Sequence, residues 1–154
     1  KSTGPNIKTF SRLFPGTWSR RRARGMPWRR NIPCSIIGWH TKRRCHSIHD
    51  NNQAMEKVDP QMLWMNPEDA GARGLKDSDM GVVWNDRGRM KVPVKVTDRI
   101  MAGVTALSQG AWYRPDKDGT DLGGSVNVLT SLKPTPYAKG NPQHTNLVEV
   151  GRAE

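Results

Sequence analysis

The chain has 154 residues, enough for one domain whose body of about 110 residues buries roughly 65% of its unfolded surface. No run of 18 apolar residues occurs, so no segment is expected to cross a membrane as a helix, and the start lacks the apolar stretch of a signal peptide. The formal net charge of +11 is unevenly spread: twelve of the 25 Lys and Arg residues precede Asp50, the first acid, leaving 13 against all 14 acids and a net charge of −1 over residues 45–154.

Residues 1–33 combine Pro5, Pro15, Pro27 and Pro33 with the run Arg20-Arg21-Arg22-Ala23-Arg24, and they show neither helical nor strand periodicity. They read as a basic, disordered or ill-fitting arm. Its acid-free, arginine-rich composition resembles an out-of-frame translation or a wrongly placed gene start. The folded domain is expected over 34–154. Cys34 and Cys45 are too few for a dense disulfide framework; one bridge between them is open, but two free thiols are expected.

Six strand candidates follow in chain order: Ile36 to His40, Met62 to Met65, Met80 to Trp84, Arg89 to Val96, Val104 to Leu107, and Leu147 to Val150. The fourth alternates Met90, Val92, Val94 and Val96, and Asn85-Asp86-Arg87-Gly88 is a hairpin-turn sequence joining it to the third. A short helix is predicted from Asn66 as N-cap, Pro67 at the first helical position, acids in the first turn and Gly74 at C′. The class is therefore all-β with short helices. The section from Arg114 to Pro142 is rich in Gly, Pro, Asp, Thr and Lys, too long for an idle connection, and is expected to lie over a ligand or a partner.

Three polar, glycine-flanked stretches offer amides, hydroxyls or imidazole beside exposed backbone, as a large polar cofactor requires: Gln109-Gly110-Ala111-Trp112-Tyr113, Gly123-Gly124-Ser125-Val126-Asn127 and Gly140-Asn141-Pro142-Gln143-His144-Thr145. Asn127, among apolar neighbours, is expected to be a buried amide in need of partners. After the first strand, Lys42 to Asn51 places cations, a hydroxyl and imidazoles where a phosphate or a heteroaromatic ring fits; a solvated turn is the alternative. Cys34, His40, Cys45, His46 and His49 suffice for zinc by count, but no CxxC or HxxxH pair occurs and zinc is not expected.

Several ordered blocks carry a resemblance: Ile37-Gly38-Trp39-His40 with Arg44-Cys45-His46-Ser47, Trp64 to Ala70, Asn85 to Gly88, Gln109 to Tyr113, Ser125 to Thr130, and Ala138 to Asn146. Over roughly residues 35 to 152 the chain resembles the C-terminal molybdopterin-dinucleotide-binding domain of the dimethyl sulfoxide reductase family, particularly its bacterial membrane-associated members. The resemblance implies a six-stranded double-psi β-barrel of the aspartate-decarboxylase-like type. It also implies a molybdenum-bis(molybdopterin guanine dinucleotide) cofactor, with His46 and Ser47 contacting pterin or phosphate. Asn127 and the turn Gln143-His144-Thr145, beside Asn141, would contact the pterin and nearby dinucleotide, and Gln109, Gly110 and Trp112 would shape the wall. Amides and imidazole match the alternating donors and acceptors of a pterin, and hydroxyls and backbone N–H groups suit pyrophosphate.

In such a family the molybdenum ligand and the iron–sulfur cysteine motif belong to domains outside this sequence. The chain is accordingly expected to hold no catalytic or metal-ligating residue and to be inactive alone. The implied whole is a periplasmic reductase of S-oxides, N-oxides or oxyanions in anaerobic respiration. Its implied partners are the remainder of the catalytic subunit, an iron–sulfur electron-transfer subunit and a membrane anchor. The rival reading is a nucleic-acid-binding module in which the arm 1–44 clamps phosphates while Trp18, Trp28 and Trp39 stack bases.

Overall fold

The computed structural model describes residues 33–141 and 146–153. Six strands form: β1 (Cys34–Trp39), β2 (Leu63–Met65), β3 (Met80–Trp84), β4 (Arg89–Val96), β5 (Val104–Ser108) and β6 (Asn146–Arg152). They close into a barrel in the order β1-β5-β2-β4-β3-β6. β1 runs parallel to β5 and β2 parallel to β4, while the other four pairings are antiparallel. Parallel neighbours cannot be joined by a hairpin, so the chain crosses over twice, which gives the double-psi barrel that the resemblance implied. The six candidates fall on the six strands, with shifts of one or two residues at the ends of β1, β2, β5 and β6.

Alternation decides which residues fill the barrel. Met90, Val92 and Val94 of β4 point inward and are buried with Ile36, Leu63, Met65, Val83, Leu107, Val148 and Val150, whereas Val96 is only partly buried against this core. Pro93 sits in the middle of β4, where a missing N–H ordinarily breaks a ladder. Its neighbour Val94 donates to Asp79 O on the β3 side, so the nitrogen of Pro93 faces β2, just ahead of the first β2 pairing, Leu63 with Val94. In the β3–β4 hairpin the Asn85 side-chain oxygen accepts from the backbone N–H groups of Arg87 (2.9 Å) and Gly88 (3.3 Å).

Two short helices and one helical turn complete the fold. The predicted helix is α2 (Pro67–Ala72): Asn66 caps it by accepting from Glu68 N–H at 2.9 Å, and Gly74 follows with φ +66°. α1 (Gln53–Val58) was not foreseen. It buries none of its residues, so it leaves no apolar periodicity to read. The stretch Val126–Leu129 is a single 3₁₀ turn in which Val126 and Leu129 are buried and Asn127 is exposed. The expectation of a buried Asn127 amide is thus corrected: at about three residues per turn, positions 126 and 129 share the inner side and turn 127 outward.

The section after β5 is held down by one carboxylate. Asp121 is fully buried and its backbone extends the ladder beside β4, donating to Arg89 O (3.0 Å) and accepting from Lys91 N–H (2.8 Å). Its side chain accepts from the N–H groups of Arg114 (2.8 Å), Gly123 (2.9 Å) and Ser125 (2.6 Å). Truncation would orphan all three donors. Asp121→Ala should therefore cost about 3 kcal/mol or more, measured by urea denaturation; a loss below about 1 kcal/mol would show that residues 114–125 do not depend on this carboxylate.

Candidate functional site

Strand direction gathers the predicted residues at one end of the barrel. Because β1 and β5 are parallel neighbours in register, with Trp39 beside Ser108, the segments leaving them emerge side by side. Antiparallel pairing brings the β3–β4 hairpin and the starts of β2 and β6 to that same end. The opposite end is tied by structural bonds, Asn66 to Ile100 O (2.7 Å) and Gly103 N–H to the Asp69 carboxylate (2.6 Å).

At the gathered end the loop after β1 and the segment after β5 are packed backbone to backbone. Gly110 has φ +91°, and a Cβ there would lie 1.7 Å from the His46 carbonyl oxygen. Trp112 donates its indole N–H to Ser47 O (2.8 Å) and its backbone N–H to the Asp50 carboxylate (2.8 Å). A Cβ on Gly123 would meet Trp112 O at 2.0 Å. The glycines of the first two stretches are thus required by close approach, which the sequence pattern alone does not show.

Asp50 is the hub. One oxygen accepts from Arg43 (3.1 Å) and from Arg44, and the other from Trp112. Arg44 also donates to the Gln61 side-chain oxygen (2.7 Å) and to Ser108 Oγ (2.8 Å). Gln61 donates to Ser108 O and Gly124 O, both at 2.8 Å. Burial depresses the Arg44 guanidinium below the ordinary arginine range, opposed chiefly by its hydrogen bond to Asp50. Gln61, Ser108 and Asp121 were not singled out in the sequence as site-forming residues, and Arg44 and Asp50 were noted only as part of the loop Lys42 to Asn51, because the bonds that join them span up to 64 positions.

On this frame His46, Ser47, Gly110 and Trp112 come together, and Gln109 joins them by donating its backbone N–H to Trp39 O (3.0 Å). His46 is exposed at φ +52°, edge-on to His40 with ring centres 5.5 Å apart. The side chains of His46, Ser47 and Asn127 make no hydrogen bond to another described residue, so imidazole, hydroxyl and amide are open to a ligand with pterin-like donors and acceptors. Asn127 is held elsewhere on the same end, over the hairpin, where Leu129 O accepts from Asn85 Nδ2 and Arg87 Nε at 2.9 Å each. Asn141 is exposed, and Gln143, His144 and Thr145 lie outside the described residues.

Residues 35–147 match the family model described as molydopterin dinucleotide binding domain. The chain belongs to this family. It is 50% identical over 128 residues to dimethyl sulfoxide reductase DmsA of Haemophilus influenzae, a match covering 83% of this chain and 16% of that protein. It is 38% identical over 128 residues to dimethyl sulfoxide/trimethylamine N-oxide reductase of Rhodobacter capsulatus, covering 77% of this chain and 15% of the relative. Acetylene hydratase from Pelobacter acetylenicus shares the fold, with a TM-score of 0.65 at 16% identity over 79% of this chain and 18% of that one. The chain therefore spans about one sixth of the length of these relatives.

A molybdopterin dinucleotide-binding domain of this kind leaves the nucleic-acid reading without support. Trp39 packs on Trp64 with ring centres 5.1 Å apart, so this ring is not presented to stack on bases. Trp18 and Trp28 lie outside the described residues. Both cysteines are free thiols: Cys34 is buried and its thiol pushed up to about 11, mainly by burial, while Cys45 is exposed. No cluster of three His, Cys, Asp or Glu suited to a metal occurs among the described residues.

The close approach at Gly110 makes a direct prediction. Gly110→Ala combines a positive φ with a backbone clash and should cost at least about 2 kcal/mol, read by urea denaturation with Trp fluorescence. A change below about 0.5 kcal/mol would mean that the two segments do not pack as described.

Proposed function

We propose that this chain forms one wall of a molybdenum-bis(molybdopterin guanine dinucleotide) site in a reductase of S-oxides, N-oxides or oxyanions. The observation that supports it is the convergence of the His46–Ser47 loop and the Gly110–Trp112 segment, locked through Asp50, in a chain of this family. His46 and Ser47 offer donors and acceptors to a pterin edge, Trp112 supplies a flat apolar boundary, and Gln109 and Gly110 set the depth of the wall. Asn127, with Asn141, Gln143, His144 and Thr145, would read the pterin and the neighbouring dinucleotide. The bound group supplies oxygen-atom transfer at its metal; the residues of this chain bind, orient and hydrogen-bond it.

On this reading the metal ligand and iron–sulfur centres belong to the remainder of the catalytic subunit. An iron–sulfur electron-transfer subunit and a membrane anchor at the periplasmic face would complete the enzyme. No helix among the described residues is long and apolar enough to cross a membrane, so attachment would run through those partners.

The test is a graft of residues 34–154 in place of the matching segment of the Haemophilus influenzae reductase. The grafted enzyme should carry molybdenum and acid-releasable guanine nucleotide, and Asn127→Ala with His144→Ala should lower both about tenfold, a loss of about 1.4 kcal/mol. Unchanged molybdenum and nucleotide in the double variant would overturn the reading.

A further inference from the structure

A second polar feature lies outside the wall. Lys42, Arg43, Arg44, Cys45, His49, Asn52 and Met55 line an open cleft of about 430 Å³ between the loop after β1 and α1. None of His46, Ser47 and residues 109–112 contributes to it.

Three buried N–H groups of the lining have no partner: Arg43 Nε, Arg43 Nη1 and Arg44 Nε. The Arg43 side chain is only 3% exposed and that of Arg44 is fully buried, so water does not reach these donors freely, and an unpaired buried donor of this kind is costly. Charge is unbalanced in the same direction. Two buried guanidiniums share a single carboxylate oxygen of Asp50, no carboxylate lines the cleft, and Lys42 adds a further cation at its edge. The Asn52 side-chain oxygen is committed to Ala54 and Met55 N–H, which leaves its amide nitrogen as one more donor. A set of donors with surplus positive charge selects an oxyanion, and the planar fork of arginine suits a phosphoryl group.

We propose that this cleft is a phosphate-binding site, held by the free edge of Arg43 with Arg44, Lys42 and Asn52, for inorganic phosphate or the diphosphate of a nucleotide. It stands independently of the pterin contacts assigned to His46 and Ser47, so either can fail without the other.

The 154-residue chain, labelled uniformly with ¹⁵N, would be titrated with inorganic phosphate and separately with guanosine diphosphate while the Arg43 Nε–H resonance is followed. A site-specific signal removes any contribution from the basic arm. A saturable shift at Arg43 with either probe supports the site. Movement of the Gly110 and Trp112 amides with guanosine diphosphate alone would assign the phosphate to a dinucleotide, and movement of Arg43 alone would assign it to a free anion. Arg43→Lys keeps the charge but removes the fork. Read at the Asn52 side-chain amide, it should weaken phosphate about tenfold, whereas Lys117→Gln should not change it. An Arg43 resonance unmoved by both probes at millimolar concentration, or equal affinity in Arg43→Lys, would overturn the proposal.

Discussion

The Asp50 carboxylate is the interaction on which the end of this barrel that carries the loop after β1 depends. It neutralises part of the charge of Arg43 and Arg44 and also receives the backbone of Trp112. Through Arg44 it is continuous with Gln61 and Ser108, and through Gln61 with Gly124. One acid thus joins the loop after β1, the start of β2, the end of β5 and the glycine turn before the 3₁₀ segment. Breaking such a buried pair from one side typically costs about 3–5 kcal/mol, a large share of the stability of a small domain.

Topology explains why those four segments are available to be joined. Parallel pairing of β1 with β5 makes their C-terminal extensions neighbours, and the alternation of direction around the closed barrel adds the hairpin and the entry to β6. Fixed backbone then substitutes for flexible side chains. The Gly110 and Gly123 contacts with His46 O and Trp112 O leave no room for a side chain, and Asp121 pins the intervening loop from beneath. A large cofactor is oriented better by such a wall than by mobile surface groups, because less ordering entropy is lost on binding.

Much of this was legible in the sequence. Strict alternation in β4, the Asn85–Gly88 turn and the Asn66-Pro67 cap each have a local cause and fell where expected. The glycines of the first two stretches marked places where the backbone needs special freedom, and the close approaches at Gly110 and Gly123 supply the reason. What could not be read were facts that depend on distant pairing. The strand order, the role of Asp50 and the burial of Arg43 and Arg44 need partners tens of positions away, and Gln61 carries no local mark at all. Asn127 was misjudged because its neighbours Val126, Val128 and Leu129 are apolar and suggest burial; a 3₁₀ turn with period three sends the amide outward instead.

The central claim is that Asp50 welds the loop after β1 to the segment after β5, and hydrogen exchange tests it most directly. In Asp50→Asn the neutral amide cannot accept from both the guanidiniums and Trp112. The account predicts that the Trp112 backbone N–H loses about a hundredfold of its protection, roughly 2.7 kcal/mol of local stability, while the Val92 amide in the barrel core retains far more. Unchanged protection at Trp112, or an equal loss at Trp112 and Val92, would contradict it.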